Sequence, residues 1–338
     1  MRKLATIQKI QDLEPIPNAD RIERATVLGW HVVVKKGDFR VGDYCVYCEI
    51  DSVLPEKPEF EFLRPRKFRI KTVRLRGQIS QGIAFPISIL DGYKDVERKE
   101  GLDVTELIGI KKYEPPLPIT MGGSVKGSFP GFIPKTDEMR IQSVPDVLTR
   151  SENYGKRCYV TEKVDGTSVT YYLRDGEFGV CSRNLELRES EFNIHWMVAR
   201  QYGLEARLRD LNQTIQNVAL QAEIIGPKIQ KNKYALAKPR LMVFNVFDIN
   251  RYEYLNYEDL VSFARTLGLE TVPILRDDYI LGKDDVDGLV RMSEGPSVVN
   301  PEIHREGIVI RSVIEARDPE IGRLSFKVVN PVFLLKFE

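Results

Sequence analysis

The chain has 338 residues, of which 42% are hydrophobic and 29% charged, and its formal net charge is +1. This length accommodates two domains, while this composition excludes a disordered or fibrous protein and gives no overall electrostatic argument for a nucleic-acid partner. No apolar run reaches the roughly 18 residues of a membrane span, and no apolar signal-peptide core follows Met1. We therefore expect a soluble cytoplasmic or nuclear protein without a membrane partner.

The cysteines and histidines are scattered. The pair Cys45 and Cys48 has the spacing of half a zinc site, but no second cysteine pair or histidine pair completes it. We expect reduced, structural cysteines and histidines with core or surface roles.

Short β-rich runs alternate with turn residues from position 5 to about 89, which is typical of a small barrel. The segments PIPNADRI at 15–22 and LRGQISQG at 75–82 both resemble pieces of the OB-type barrel of tRNA-binding domains. We therefore predict an OB-fold nucleic-acid-binding domain over residues 1–112. Its predicted strands include residues 30–34, 44–50, 72–76 and 83–85.

Basic residues concentrate between positions 64 and 76. In one continuous strand, alternation would place the basic residues of 67–71 and those of 74–76 on opposite faces, so a bulge or turn near Thr72 is needed for all to meet one ligand. We favour phosphate contacts with a nucleic acid, and the alternative is a solvated edge strand that its charge protects against aggregation. The predicted nucleic-acid-binding residues are Arg66, Lys67, Arg69, Lys71, Arg74 and Arg76.

Proline and glycine concentrate between positions 113 and 132, and we predict a linker there. The segment GGSVKG at 122–127 has the glycines of a phosphate-binding loop, but it lacks a preceding strand and the Gly-Lys-Ser/Thr ending.

The second domain, predicted over residues 133–338, alternates strands with helices. A helix is predicted over 189–211, and a second runs from its cap at Asn256 to Gly268, with Asp259 in the capping-box position. A shorter helix is predicted over 284–293. Predicted strands include residues 220–226, 241–249, 307–312 and 324–329.

Lys163 lies between two β-rich runs and two residues before a predicted tight turn at Asp165-Gly166. Its amine becomes a nucleophile if burial, neighbouring positive charge or a metal-bound substrate lowers its pKa. The alternative is a hairpin whose charged residues are merely solvated.

Polar or aromatic residues recur beside the predicted strands, as expected for a pocket lined by sheets. In chain order the motifs are Lys163-x-Asp165-Gly166, Ser182-Arg183-Asn184, Glu223-Ile-Ile-Gly-Pro, Phe244-x-x-Phe247-Asp248, Glu306-Gly-Ile-Val-Ile-Arg311 and Phe326-Lys327. The series resembles the collinear motifs of the covalent nucleotidyltransferases, which include polynucleotide ligases and mRNA capping enzymes. With the leading OB-like domain and the segment EIIGPKIQKN at 223–232, it resembles RNA ligase family 5, the ATP-dependent RNA ligases with an N-terminal OB module.

The resemblance implies an α+β protein. An N-terminal OB-type β-barrel would precede a nucleotidyltransferase (ATP-grasp-like ligase) domain of antiparallel sheets with flanking helices. Lys163 would be the nucleophile and Lys327 would stabilise the α-phosphate. The implied ATP contacts are Glu162, Arg183 on the sugar and phosphate, Glu223 on the ribose, Phe244 on the adenine, and Glu306. Asp165 and Glu306 would hold the water ligands of Mg²⁺ or Mn²⁺, with Glu253 as a further metal candidate.

The implied reaction joins 3′-hydroxyl and 5′-phosphate ends through lysyl-AMP and RNA-adenylate intermediates. The expected partner is a nicked duplex with RNA on the 3′-hydroxyl side, the expected role is RNA repair, and a monomer is expected. A capping-type guanylyltransferase is one alternative, disfavoured because the sequence ends soon after Lys327 and leaves no room for a C-terminal OB domain. A non-catalytic tRNA- or RNA-binding protein is the other. Val329 replaces the second lysine that related ligases often carry, with Lys336 or Arg311 as candidate substitutes.

Overall fold

The computed structural model describes residues 3–114, 125–211 and 216–337. The chain divides into two compact units. The first comprises Met1–Pro116, Ile141–Pro145 and Pro331–Glu338, and the second comprises Leu117–Arg140 and Asp146–Asn330. The first unit thus takes two short segments from the region predicted to be the second domain. Among the described residues, no helix combines the length and apolar character needed to cross a membrane.

The first unit is built from short antiparallel strands around one apolar core, as predicted. Alternate residues of β4 are buried, which is the period-2 pattern of a strand with one face in a core. Two three-stranded sheets have the orders β1-β5-β9 and β2-β3-β4. The strands are β1 Ala5–Lys9, β2 Asp12–Pro15, β3 Ile22–Val27, β4 Trp30–Lys35, β5 Tyr44–Cys48, β6 Ser52–Val53, β7 Val73–Leu75, β8 Gln78–Ser80, β9 Ile83–Pro86 and β10 Lys111–Lys112.

Helical elements of the first unit are short. Helix α1 (Thr105–Ile108) and the last helix of the chain, α6 (Pro331–Phe337), are α-helical. The 3₁₀ helices are Pro58–Arg66, Ile87–Leu90 and Ile141–Ser143.

The predicted basic strand is not continuous. The 3₁₀ helix Pro58–Arg66 ends at Lys67, and Lys67 and Phe68 both have left-handed backbone conformations, with φ of 52° and 59°. Phe68 is buried, so its packing outweighs strand propensity here. The change of direction therefore comes before the predicted position near Thr72.

The second unit contains two large sheets. One has the order β11-β16-β15-β14-β17-β18-β19, with β20 pairing to β18, and the other has the order β12-β25-β22-β13-β21. All pairs are antiparallel except β12 with β25 and β18 with β20. The strands are β11 Val125–Ser128, β12 Met139–Arg140, β13 Arg157–Lys163, β14 Thr167–Arg174, β15 Glu177–Ser182, β16 Leu185–Leu187, β17 Val218–Ile225, β18 Arg240–Asp248, β19 Glu253–Tyr254, β20 Glu270–Thr271, β21 Ile274–Ile280, β22 Gly307–Ser312, β23 Arg317–Asp318, β24 Gly322–Arg323 and β25 Ser325–Val329.

Helices flank these sheets. They are α2 Ile194–Gln201, α3 Leu204–Asp210, α4 Tyr257–Thr266 and α5 Val286–Ser293, with 3₁₀ turns at Pro145–Leu148 and Gln230–Asn232. The single helix predicted over 189–211 is wrong, because Gly203 takes a left-handed conformation and separates α2 from α3. Asn256 caps α4 by position. Its side chain instead accepts a hydrogen bond from the Glu315 N–H at 2.9 Å, so the predicted capping box is not formed.

The predicted linker is only partly within the described residues, because 115–124 lie outside them. Residues Val125–Ser128 form β11, which pairs with β16. This part of the glycine-rich segment therefore belongs to a sheet of the second unit, because its backbone groups complete a strand ladder.

Candidate active site

Strands β13 and β14 do not form a hairpin, although a tight turn was predicted between them. β13 belongs to one large sheet of the second unit and β14 to the other, so residues 164–166 carry the chain from sheet to sheet. Gly166 makes this crossing possible. A Cβ atom there would lie 2.3 Å from the Ile224 carbonyl oxygen and 2.9 Å from the Glu223 Cγ. Lys163, at the end of β13, is thereby placed where the two sheets meet.

A cavity of about 340 Å³ opens at this crossing. Its volume is within the usual range for small-molecule and cofactor sites. Residues from both sheets line it, and the predicted motifs converge there: Lys163, Asp165, Arg183, Glu223, Phe244, Glu306 and Lys327.

Lys163 forms an ion pair with Glu306. Its Nζ lies 2.6 Å from a Glu306 carboxylate oxygen, and the side chains are 26% and 15% exposed. The pairing of Lys163 with Gly307 across β13 and β22 fixes this contact. Burial by itself would lower the pKa of Lys163. The acidic side chains of Glu306, Glu223 and Asp165 have the larger combined effect, so the pKa lies above its ordinary value. The amine is therefore a charged ammonium in the ligand-free protein. The sequence analysis expected a lowered pKa for a nucleophile, and the ligand-free site does not provide one.

Glu223 supports the sheet crossing from the opposite strand. A carboxylate oxygen accepts a hydrogen bond from the Gly166 N–H at 3.1 Å. Burial raises the pKa of Glu223 to about 8, with the nearby Glu306 and Asp165 adding to the rise and Lys163 opposing it. A buried carboxyl at the crossing can both hold this backbone and accept a hydrogen bond from a ligand hydroxyl.

Asp165 is held by Lys233 and Tyr234, which directly follow the segment at 223–232 and were not named in the sequence analysis. Its carboxylate forms an ion pair with the Lys233 ammonium, and its N–H donates to the Tyr234 hydroxyl at 2.7 Å. The side chain of Gln230 donates to the Gly166 carbonyl at 3.3 Å. The sequence held a signal for the loop that carries these residues, because it continues the motif that begins at Glu223. The sequence does not show which of the lysines in the loop contacts Asp165.

A buried guanidinium, that of Arg311, lies beside the ring of Phe244. The Arg311 guanidinium lies 5.8 Å from the centre of the Phe244 ring and donates to Glu138 at 3.1 Å. Burial raises the pKa of Glu138, but Arg311 and Arg323 outweigh this effect and the pKa is lowered. Glu138 and Arg311 both line the cavity, and the sequence analysis missed Glu138 because no motif contains it.

The cations predicted around the phosphates differ in position. Arg183 lines the cavity, is half exposed, and forms an ion pair with Asp137. Val329 is buried on β25, opposite Gly307. Of the two candidate substitutes for a second lysine, Arg311 lies in the cavity wall, whereas Lys336 is on α6 in the first unit.

Two predicted residues, Glu162 and Glu253, differ from the rest in what their side chains contact. Glu162 lines the cavity, but its carboxylate accepts hydrogen bonds from the Ser297 hydroxyl at 2.5 Å and the Val298 N–H at 2.7 Å. Strand alternation explains this, because neighbouring side chains of β13 point to opposite faces. Glu253, on β19, lines a different cavity of about 700 Å³, and the structure does not bring it to Asp165 and Glu306.

The predicted nucleic-acid-binding residues of the first unit fall into two groups. Arg69 lies 2.9 Å from Asp51 and 3.7 Å from the centre of the Tyr113 ring, so its guanidinium is used inside the unit. Lys71 is half-buried. The exposed residues are Arg66, Lys67, Arg74 and Arg76.

The donor set suits a hydrated divalent metal. Within residues 3–114, 125–211 and 216–337, no three His, Cys, Asp or Glu side chains form a closed metal site. Asp165 and Glu306 are close enough for Asp165 to raise the pKa of Glu306. Two carboxylates in an open cavity fit Mg²⁺ or Mn²⁺, because such ions keep several waters and take further oxygen ligands from phosphates.

The structure places the strand-end Lys163 where the two large sheets meet, together with the motifs that the sequence analysis listed in order. A family model of an OB-fold domain matches residues 4–87, and the RNA ligase family model matches residues 156–329. The chain belongs to the RNA ligase family. The predicted order of an OB-fold domain followed by an α+β ligase domain is thereby confirmed.

Solved structures of Naegleria gruberi RNA ligase are similar over nearly the whole chain. A mutant with ATP and Mn is 37% identical, with 99% of each chain covered and a TM-score of 0.89. A mutant with AMP and Mn is 37% identical over 99% of each chain, with a TM-score of 0.87. The ligase with PPi is 38% identical over 99% of each chain, with a TM-score of 0.87. No curated protein sequence matches the chain.

Replacing Gly166 tests the geometry of the crossing. We expect Gly166→Ala to cost about 1–3 kcal/mol of stability, because the new methyl group overlaps the Ile224 carbonyl and Glu223 must move. Thermal unfolding followed by circular dichroism measures the destabilisation. Gly131→Ala is the matched control, since a Cβ there meets no atom within 4 Å. Equal melting temperatures for the two variants would show that the crossing is not tightly packed.

Proposed function

We propose that this protein seals nicks in duplexes that carry RNA on the 3′-hydroxyl side, and that it acts as a monomer in RNA repair. The protein is an ATP-dependent RNA ligase, as follows from its family and from relatives solved with ATP and Mn. One observation carries the mechanism: the cavity between the two large sheets brings Lys163 together with Glu223, Phe244, Glu306 and Lys327.

Adenylylation is the first step. The Lys163 amine attacks the α-phosphorus of ATP, a P–N bond forms, the bond to the bridging oxygen breaks, and pyrophosphate leaves. The ammonium must first lose a proton, and the Glu306 carboxylate is in contact with it. Asp165 and Glu306 would hold a hydrated Mg²⁺ or Mn²⁺, which neutralises phosphate charge when bound. Carboxylates engaged in this way would hold the Lys163 proton less strongly.

The other cavity residues position the nucleotide. The Phe244 ring offers a face for the adenine, and stacking of a base on an aromatic side chain contributes about 1–3 kcal/mol. Glu223 accepts hydrogen bonds from the ribose. Lys327 and Arg183 supply positive charge for the phosphate. We assign the second phosphate-neutralising role to Arg311, because it lies in the cavity wall whereas Val329 is apolar and buried.

Two further transfers complete the reaction. The 5′-phosphate of the RNA or DNA strand attacks the lysyl-AMP phosphorus, and the Lys163 amine leaves to give the adenylylated end. The 3′-hydroxyl then attacks the 5′-phosphorus and releases AMP. In both steps the phosphorus exchanges one substituent for another, so Lys163 returns unchanged to its ion pair with Glu306.

The first unit would contact the duplex. Arg76 and Gly77 form the turn of the β7–β8 hairpin, both with positive φ, and Arg74 and Arg76 are exposed. Neither side chain has a partner within the part of the chain that the structure describes. Two exposed guanidiniums on one hairpin are suited to phosphates, which position a nucleic acid without reading its sequence.

Replacing Lys163 tests the nucleophile. We expect Lys163→Ala and Lys163→Arg to form no AMP adduct, because alanine has no amine and a guanidinium stays protonated. Incubation of the full chain with radiolabelled ATP or GTP and Mn²⁺, followed by denaturing electrophoresis, measures the adduct. Lys283→Ala, a change at an exposed lysine of the same unit, should label like the wild type. Labelling of either Lys163 variant would overturn the assignment, and labelling with GTP alone would favour a capping-type guanylyltransferase.

Neutralising the hairpin tests its role in duplex binding. We expect the double variant Arg74→Gln and Arg76→Gln to bind a nicked duplex more weakly. The slope of log affinity against log salt concentration should become shallower by about 0.9 for each phosphate that is no longer neutralised. Fluorescence anisotropy at several salt concentrations measures the slope. Lys94→Gln with Lys99→Gln removes the same charge from other exposed positions of the first unit. An unchanged slope for the Arg74 and Arg76 variant would place the duplex elsewhere.

A further inference from the structure

The loop between β17 and β18 has an unusual backbone. Five residues other than glycine in it have positive φ, a conformation that costs free energy for side chains with a Cβ. They are Lys228, Gln230, Lys231, Asn232 and Ala235, with φ between 44° and 65°. Such a run persists only where contacts with the rest of the protein stabilise it. These contacts also fix the positions of the side chains that the loop carries.

Two buried residues anchor the loop. Ile229 and Tyr234 are buried, and Tyr234 packs with Val164 and Val272 in an apolar cluster. Asn232 closes the loop internally, since its side chain donates to the Leu236 carbonyl at 2.9 Å and accepts from the Leu236 N–H at 3.1 Å. The strained backbone is therefore fixed at both ends of its run.

Between these anchors, Lys233 is directed at Asp165. Its ammonium pairs with the Asp165 carboxylate, and the two side chains are 12% and 15% exposed. The Coulomb attraction within an ion pair this shielded from water is stronger than that within a pair at the surface. Asp165 is one of the two carboxylates that would hold a hydrated metal, so Lys233 and the metal would compete for the same carboxylate.

We propose that Lys233 is a positioning residue that holds Asp165 in the metal-free enzyme and sets the metal concentration at which the ligase becomes active. Lys163, Asp165 and Glu306 line the ligand-free cavity, and Lys233 contacts Asp165 from the loop between β17 and β18. A hydrated divalent ion that engages Asp165 competes with Lys233 for this carboxylate, and the positive charge of Lys233 opposes its binding. This inference rests on the proposed function, because it assumes that Asp165 serves the metal.

Direct metal binding is the test. The full chain with Lys163→Met, which cannot react, is titrated with MnCl₂ without nucleotide, because ATP itself binds Mn²⁺, and the free Mn²⁺ signal in electron paramagnetic resonance gives the Kd. Adding Lys233→Met should lower the Kd for Mn²⁺ at least fivefold, because it frees the Asp165 carboxylate and removes a neighbouring positive charge. Adding Lys233→Arg, which keeps an ion pair, should leave the Kd near its starting value.

Lys231→Met is the matched control. Lys231 lies two residues away in the same strained run, is exposed, and has no side-chain partner among the described residues. This variant removes the same charge without touching Asp165, so its Kd should stay within twofold. In an Asp165→Asn background the gain from Lys233→Met should disappear, because the two changes act on one ion pair.

The remaining outcomes contradict the inference. An unchanged or higher Kd for Mn²⁺ in Lys233→Met would mean that Lys233 supports the loop or binds phosphate and does not compete with metal. An equal decrease of the Kd for Mn²⁺ in Lys231→Met would show that the decrease comes from the overall charge of the loop and not from the contact with Asp165. Failure of the proposed function is seen separately, since wild-type protein would then form no AMP adduct on Lys163 at any Mn²⁺ concentration.

Discussion

The ion pair between Lys163 and Glu306 is the interaction on which the site depends. Moving a lone ammonium or carboxylate out of water costs several kcal/mol, and each of these two groups offsets that cost for the other. The distance of 2.6 Å between them follows from the strand register that sets Lys163 opposite Gly307. The pairing also explains why Lys163, the proposed nucleophile, is protonated in the ligand-free protein. The same carboxylates that stabilise the ammonium are those that a metal and its waters would engage.

The same logic extends to the second lysine. Lys233 balances Asp165 as Lys163 balances Glu306, so two ion pairs are in place at the sheet crossing before any nucleotide enters. ATP brings negative charge and the metal brings positive charge, and each can replace one partner of an existing pair. Binding therefore exchanges ion pairs, which lets a largely buried site accept a highly charged substrate at a moderate desolvation cost.

Much of this architecture could be predicted from the sequence. Strands were predictable from runs of β-branched and aromatic residues, and the site was predictable because its residues occur as motifs in a fixed order. The passage of the chain from one sheet to the other at Asp165-Gly166 could not be predicted. A hairpin and a passage between sheets use the same turn residues and differ only in which strands pair. Lys233 and Glu138 were missed for a related reason. Their partners, Asp165 and Arg311, lie 68 and 173 residues away, and no local pattern connects them.

The most direct test of the account is the position of ATP in a crystal structure of the Lys163→Met variant with ATP and Mn²⁺. We predict the adenine against Phe244, the ribose near Glu223 and the α-phosphate beside Lys327, in the cavity of about 340 Å³. The larger cavity of about 700 Å³, lined by Tyr254 and Arg323, provides the alternative. ATP bound there, with the Lys163 cavity empty, would contradict the claim that this crossing of two sheets is the site of adenylylation.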